Sequence, residues 1–557
     1  MTTRRTFSGL SDNPHADGWN PLTLAVLAGV WIAALPNWPL WRALLALPET
    51  SSARGALFVV GFGVMVAALT ALLLGLFAWR VAIKPAIAVL LLAAAFGAHF
   101  MGSYGVVIDT TMMTNLVQTD PREVRDLLSL RMLGSVALLA GLPLLLLWRV
   151  PVRGLGFFRQ AGRNLLGLIV LVLLLAALLF ALFADLSATM RNHRTMRHLI
   201  NPLNAVYALV DLGLKSQARP GGPPLPIGAD VRILPRVPGT KPPLLMLVIG
   251  ETARADHFAL NGYARPTNPE LAALGVTSFR NVMSCGTNTA ASLPCMFSAL
   301  GKKEFESRGR DQENLLDLVQ RTGMAVLWVD NQAGCKDLCS RVPNSHARDP
   351  IAGVPALPTA LCTGADCLDE ALLHGLDARL AALPAAARER GVLIVLHQIG
   401  SHGPAYYKRS PPTRKPFQPE CSTNVLQQCD RSALINAYDN SIAYTDRVLA
   451  QTIEWLKHRQ ALYDTAMLYV SDHGESLGEN NLYLHGLPYA VAPVEQIHVP
   501  IVLWMGPHAS AQAACLAGRR DAALTHDNLF HSTLGLLDIR AVEYRQNLDA
   551  FAACRAP

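Results

Sequence analysis

Residues 244–254 read Leu-Leu-Met-Leu-Val-Ile-Gly-Glu-Thr-Ala-Arg. Six consecutive apolar side chains mark a strand buried on both faces, the kind found in a parallel sheet covered by helices. The run then stops at a glycine and delivers a carboxylate, Glu251. Comparable runs recur at Ala325–Val329, Val392–Leu396, Ala466–Val470 and Ile501–Trp504, and helix-spaced stretches lie among them at Glu313–Arg321, Asp369–Leu383 and Ile435–Lys457. This alternation predicts an α/β domain with a largely parallel central sheet and helices on both faces.

The side chains just beyond each run are the functional signal. Glu251 comes after the first, Lys336 after the second, His397 and His402 after the third, and Asp472 and His473 after the fourth. Open α/β sheets bind ligands beyond the carboxyl ends of their strands, so these side chains converge on a candidate catalytic rim. Taken alone, Asp472-His473 reads more readily as a helix cap beside a surface histidine. A second carboxylate, Glu251, at an equivalent rim position points instead to a metal. Two carboxylates and one imidazole leave a coordination position open, as catalytic zinc or another divalent ion requires. In Cys285-Gly-Thr-Asn-Thr-Ala-Ala-Ser-Leu-Pro-Cys295, hydroxyls and small residues precede a helix-like stretch. Taken by itself this is an ordinary helix entry; beside a metal it offers a nucleophile and a phosphate-attracting helix end.

The N-terminal third has a different composition. Over the whole chain of 557 residues 51% are apolar and only 16% charged, and residues 1–190 are dominated by Leu, Ala, Val and Gly. Five stretches approach the roughly 20 residues that cross a hydrocarbon core: Leu22–Leu40, Ala56–Trp79, Ile83–Gly102, Leu130–Leu147 and Leu165–Ala184. Arg4, Arg5, Arg80, Lys84, Arg149, Arg153, Arg159 and Arg163 flank them on one side, which the positive-inside rule makes cytoplasmic. Four further spans follow the first, and no small-residue cleavage site is evident, so the first reads as a span and not as a removed signal peptide. An odd number of spans sends the rest of the chain to the opposite face. The expected division is a five-span transmembrane bundle over 1–190, a helix and Pro/Gly-rich linker over 191–243, and a catalytic domain over 244–557.

All ten cysteines fall on that outer side: Cys285, Cys295, Cys335, Cys339, Cys362, Cys367, Cys421, Cys429, Cys515 and Cys554. An even count confined to one domain suits disulfides in an oxidising compartment such as a bacterial periplasm. Sequence-local pairing gives 285–295, 335–339, 362–367 and 421–429, and leaves 515–554. No CxxC pair supports a thiolate zinc site. The net charge of +7 is accounted for by cytoplasmic arginines and anionic lipid headgroups, with no nucleic-acid partner needed.

Five dispersed segments, Gly250-Glu-Thr-Ala-Arg254, Cys285-Gly-Thr-Asn-Thr289, Ser401-His-Gly-Pro404, Ser471-Asp-His-Gly-Glu475 and Leu484-His-Gly486, closely resemble the lipid A phosphoethanolamine transferases, including the mobile colistin-resistance enzymes. That family belongs to the alkaline phosphatase and sulfatase superfamily, and the resemblance covers both parts of the chain. It implies an alkaline phosphatase-like catalytic domain in which Thr289 is the nucleophile and Glu251, Thr289, Asp472 and His473 hold zinc. It further implies that His402 and His485 bind a second, more weakly held zinc or the substrate phosphate and act as acid/base groups, and that Lys336 contacts phosphoethanolamine. His397 is read as structural. Asn115, Thr119 and Glu123, four apart on one helical face, match family positions that meet the lipid headgroup. Asn288 stands where some relatives have serine. The implied activity moves phosphoethanolamine from phosphatidylethanolamine to lipid A at the periplasmic face of the inner membrane, by a monomer, giving polymyxin resistance. Competing readings are transfer to core sugars, a phosphoglycerol transferase or sulfatase-type hydrolase, and a lipid-binding module with a degenerate site. The Thr289 region lacks the Cys/Ser-x-Pro-x-Arg motif of sulfatases.

Overall fold

The computed structural model describes residues 18–555 apart from 120, 219–221, 237, 365 and 508–509. Arg4, Arg5, Pro220 and Gly221 lie outside the described residues. The chain forms two compact units, Met1–Thr110 with Ser129–Val210, and Thr111–Leu128 with Asp211–Pro557.

The first unit is built on helices long and apolar enough to cross a membrane: Ala53–Gly75, Ile83–Tyr104, Leu130–Arg149 and Phe157–Asn192. A fifth is counted if Pro21–Ala34 and Trp38–Leu45, bent by 49° at their break, form one span. The continuous stretch expected at Leu22–Leu40 is thus interrupted. Pro36 and Pro39 flank the bend, and proline removes backbone donors and crowds the preceding turn. Leu130–Arg149 contains a wide turn at Ala137–Gly141 just before Pro143, again where a proline cannot complete the ladder. Phe157–Asn192 has 36 residues, about 54 Å at the helical rise and so longer than a hydrocarbon core of roughly 30 Å. Helices Pro21–Ala34 and Ala53–Gly75 approach closely through Gly29, where a side-chain carbon would lie 2.6 Å from the Ala67 carbonyl oxygen, the small-residue contact typical of membrane helices.

The second unit is organised by an eight-stranded sheet. Its strands are β1 (Pro243–Gly250), β2 (Thr277–Met283), β3 (Ala325–Asp330), β4 (Asn344–His346), β5 (Val392–His397), β6 (Asp464–Ser471), β7 (His498–Met505) and β8 (Leu524–Thr525), in the order β8-β2-β7-β6-β1-β5-β3-β4. The five apolar runs all become strands. The sheet is mixed, however, because β7 runs antiparallel to both β2 and β6 while every other pairing is parallel. Alternate residues of β1 feed opposite cores. Leu245, Leu247 and Ile249 pack with Leu293, Leu316 and Phe530 from helices on one face, and Leu244, Met246 and Val248 pack with Leu380, Tyr438 and Leu449 on the other. Burial on both faces is why these strands carry no polar alternation. The helical stretch expected at Asp369–Leu383 is broken at Gly375, whose φ of +64° a helix does not accommodate, into a short 3-10 turn and Leu376–Ala382.

Strand register sets the rim. Ile249 pairs with Val470 and with His397, Gly250 with Ser471, and Asp330 with His397. Four strands therefore end at one level, and the residues after them emerge together. Disulfides join Cys285–Cys295, Cys335–Cys339, Cys362–Cys367, Cys421–Cys429 and Cys515–Cys554, all within this unit.

Candidate active site

Glu251, Asp472 and His473 are wholly buried. One ligand-type atom from each lies within 4.8 Å of the others. His473 Nε2 is 3.2 Å from Glu251 Oε1 and 3.4 Å from Asp472 Oδ2, yet no aligned hydrogen bond satisfies any of these three atoms. The tautomer is fixed from behind, since His473 Nδ1 donates to the Gly474 carbonyl at 2.9 Å. In the neutral ring Nε2 then aims a lone pair at two carboxylates. Burial pushes the His473 imidazole down, but Asp472 and Glu251 overrule it and raise it to about 10. Burial pushes Asp472 up, Glu251 adds to it, and the group reaches about 7. Glu251 would be raised by burial but is held below the usual carboxylate range by His473. Orphaned donor atoms of this chemistry, buried and convergent, fit a divalent cation. Among the described residues the other such grouping, Cys285, Cys295 and Asp527, consists of a disulfide and one acid, and offers no thiolate.

Thr289 completes the cluster. Its Oγ1 donates to Glu251 Oε2 at 3.0 Å, and it opens the helix Thr289–Met296, capped by Asn288, whose side chain accepts from the Ala291 N–H at 3.0 Å. A serine hydroxyl would fill the same capping role, so asparagine at 288 leaves the geometry intact. The rings of His473 and His485 lie 4.3 Å apart and those of His485 and His402 5.5 Å apart, extending the site by two imidazoles. His397 is fully buried and bonds Asp330 Oδ2 through Nδ1 at 3.0 Å.

Lys336 has left-handed backbone (φ 49°) inside the Cys335–Cys339 loop, and its Nζ donates to the Gln118 carbonyl at 3.2 Å. Gln118 ends the helix Thr110–Gln118 that carries Asn115, and Thr119 Oγ1 donates back to the Asn115 carbonyl at 2.7 Å. Lys336 and this helix are therefore neighbours within the second unit. Glu123 lies in a separate helix, Pro121–Leu127, and its side chain is outside the described residues; the single helical face expected for Asn115, Thr119 and Glu123 is therefore broken after Gln118, ahead of Pro121, which cannot continue the ladder.

Three residues escaped the reading of the sequence. Gln332 Nε2 donates to Glu251 Oε2 at 2.7 Å, sharing that oxygen with Thr289. Glu475 is wholly buried beside His485, 3.3 Å from its Nδ1, and burial raises its carboxyl to about 8. His526 Nε2 donates to the Ser471 carbonyl at 2.9 Å, and its Nδ1 accepts from the Cys285 N–H at 3.0 Å. An uncharged amide in a loop and a histidine at a helix start carry no local signal of catalysis. Glu475 stood inside a quoted motif, where its burial was the missing clue.

Sheet, rim and the helix that opens at Thr289 together define a domain of the sulfatase class, and residues 243–539 match the family described as Sulfatase. Residues 65–216 match the family Phosphoethanolamine transferase EptA/EptB. Across nearly its whole length the chain is 37% identical to phosphoethanolamine transferase EptA of Salmonella typhimurium, covering 95% of this chain and 96% of that one. It is 38% identical to phosphatidylethanolamine transferase Mcr-1 of Escherichia coli, covering 95% and 97%. The solved structure of the integral membrane protein lipooligosaccharide phosphoethanolamine transferase A from Neisseria meningitidis superposes with a TM-score of 0.89 at 32% identity, covering 96% of this chain and 99% of that one. The chain belongs to the phosphoethanolamine transferase EptA family.

Proposed function

We propose that this enzyme transfers phosphoethanolamine from phosphatidylethanolamine to a phosphate of lipid A, through a phosphoethanolamine-threonine intermediate at Thr289, on the periplasmic side of the inner membrane. The observation that carries the reading is the convergence of Glu251, Thr289, Asp472 and His473 on one buried point. Glu251, Asp472 and His473 with the Thr289 hydroxyl would hold a zinc ion, and His402 with His485 would hold a second, weaker one or the substrate phosphate. When bound, such an ion supplies Lewis-acid charge beside the hydroxyl and the phosphoryl oxygens.

In the first step Thr289 Oγ1 attacks phosphorus, its proton passing to Glu251 Oε2, the atom it already faces. The phosphorus–oxygen bond to diacylglycerol breaks as the new bond to Thr289 forms, and His402 or His485 provides the proton for the departing alkoxide. In the second step an oxygen of the lipid A phosphate attacks the same phosphorus and gives its proton to the histidine that protonated diacylglycerol, while the phosphorus–oxygen bond to Thr289 breaks and Thr289 takes its proton back from Glu251 Oε2. Lys336, with Asn115 on the helix Thr110–Gln118, Thr119 just beyond its end and Glu123 on the helix Pro121–Leu127, is assigned to the donor headgroup. A chain that carries its own apolar anchoring helices suits lipid substrates, which favours transfer between lipids over release to water.

Disulfides throughout the second unit support the periplasmic placement. The lipid A phosphate is preferred to core sugars because relatives named Kdo(2)-lipid A phosphoethanolamine 7''-transferase match only about half of the chain, 53% in Escherichia coli, while EptA and Mcr-1 match nearly all of it. Mass spectrometry of lipid A from a Gram-negative host tests the reading. Expression of the wild type adds phosphoethanolamine to lipid A and raises polymyxin tolerance, and Thr289→Ala does neither; unmodified lipid A with the wild type contradicts it.

A further inference from the structure

We propose that His526 is a positioning residue: its imidazole fixes the separation between the loop that bears Thr289 and the strand end that bears Asp472 and His473. The inference rests on the assignment of Thr289 as nucleophile made above.

The placement is unusual. His526 directly follows β8, the edge strand, and its N–H extends the β8–β2 ladder by donating to the Met283 carbonyl at 3.0 Å. From that edge its side chain reaches Ser471, which closes β6, three places away in the sheet. The two bonds run in opposite senses. Nδ1 accepts from the Cys285 N–H and Nε2 donates to the Ser471 carbonyl, so only a neutral ring with the proton on Nε2 satisfies both.

Each end of this bridge is attached to the site. Ser471 immediately precedes Asp472, and its hydroxyl accepts from the Ala253 N–H at 2.8 Å and donates to the His473 carbonyl at 3.0 Å. It thereby ties the turn after Glu251 to the turn after β6. Cys285 opens the disulfide-closed loop that ends on the Thr289 helix. The rest of that loop is held at its backbone too: the Ser284 carbonyl accepts from Tyr489 Oη at 3.0 Å, and the Gly286 N–H donates to Ser292 Oγ at 2.8 Å. These contacts fix the loop against its own surroundings. The imidazole of His526 sets it against the carboxylate-bearing strand end. Displacement of a reacting group by about 1 Å costs on the order of 100-fold in rate, so a bridge with this span bears on turnover without touching substrate.

The test uses the purified full-length enzyme in vesicles of phosphatidylethanolamine containing lipid A. His526→Phe removes both bonds, and His526→Asn keeps an acceptor for the Cys285 N–H. His531→Phe, which alters another buried histidine five residues along the same helix, is the control for a general loss of packing. The expected result is a kcat lowered by about tenfold or more in His526→Phe and partly restored in His526→Asn, with KM for the donor within about twofold in both. His531→Phe lowers Tm by a similar amount while kcat per folded molecule stays at the wild-type value. A His526→Phe enzyme with unchanged kcat overturns the proposal, as does a kcat loss in His531→Phe equal to that in His526→Phe. A wild type that transfers nothing would instead overturn the assigned activity, which keeps the two failures distinguishable.

Discussion

The hydroxyl of Thr289 donates to Oε2 of Glu251 across 3.0 Å, inside a site where the glutamate has no exposure to solvent. Hydroxyl and carboxylate are delivered by different strands, since Glu251 directly follows β1 and Thr289 lies beyond β2. The pair exists because the sheet places two strand ends on one rim. Glu251 uses its other oxygen, Oε1, toward His473, so a single carboxylate faces both the Thr289 hydroxyl and the candidate metal site.

Neutralising that carboxylate tests both of its contacts at once. Glu251→Gln keeps the shape and removes the charge, and kcat is expected to fall by roughly 100-fold or more, because a group acting on developing charge is lost. Bound zinc per chain falls with it. Elemental analysis and lipid-transfer kinetics on the same sample check the prediction; a variant with full metal content and full activity would exclude Glu251 from the site.

Chelation tests the metal without a substitution. Removing the cation leaves two buried carboxylates and an imidazole facing one another, and a ligand held at 100 times its Kd stabilises the fold by about 2.7 kcal/mol. Chelator is expected to abolish transfer and lower the Tm of the catalytic unit by on the order of 5 °C, both restored by zinc. Calorimetry with and without chelator reads the shift, and an unchanged Tm together with unchanged activity contradicts it.

Much of this architecture was legible in the residues, for identifiable reasons. Strands covered on both faces leave uninterrupted apolar runs, so β1, β3, β5, β6 and β7 were visible, and the break at each carboxyl end exposed Glu251, His402, Asp472 and His473. The strand β2 was not, because Arg280 and Asn281 face outward from it and interrupt the run. Nor was the reversed direction of β7, since an apolar stretch reads alike either way. Gln332 carries no charge to mark it, and His526 before Asp527 resembles a helix start. Their importance comes from partners 81 and 241 positions away in sequence, a distance that local pattern does not span.

Gln332 offers a test at a residue that only the structure identifies. Its amide orients the Oε2 atom that also accepts from Thr289, and groups that orient a metal ligand are worth about 10- to 100-fold in activity. Gln332→Leu is expected to lower kcat within that range while leaving Tm within about 2 °C. Steady-state kinetics with thermal unfolding decides, and a wild-type kcat would reduce Gln332 to packing.

Acid stability depends on buried neutral histidines. Burial lowers His526 to about 3 and His531 to about 4, whereas both titrate near 6.5 when unfolded. The unfolded chain therefore binds more protons in this window, and stability is complete above about pH 6.5 and falls as pH drops toward 4, by up to about 1.4 kcal/mol per pH unit for each ring. Denaturant titrations from pH 7 to 4 are expected to show a shallower slope in His531→Asn than in the wild type. Parallel slopes would place the acid sensitivity elsewhere.

The most direct measurement of the central claim is the intact mass of the full-length protein after incubation with phosphatidylethanolamine and no acceptor. The account predicts a gain of one phosphoethanolamine, mapped to the peptide containing Thr289, absent in Thr289→Ala and discharged on addition of lipid A. An adduct that persists in Thr289→Ala, or that maps to another residue, would contradict it.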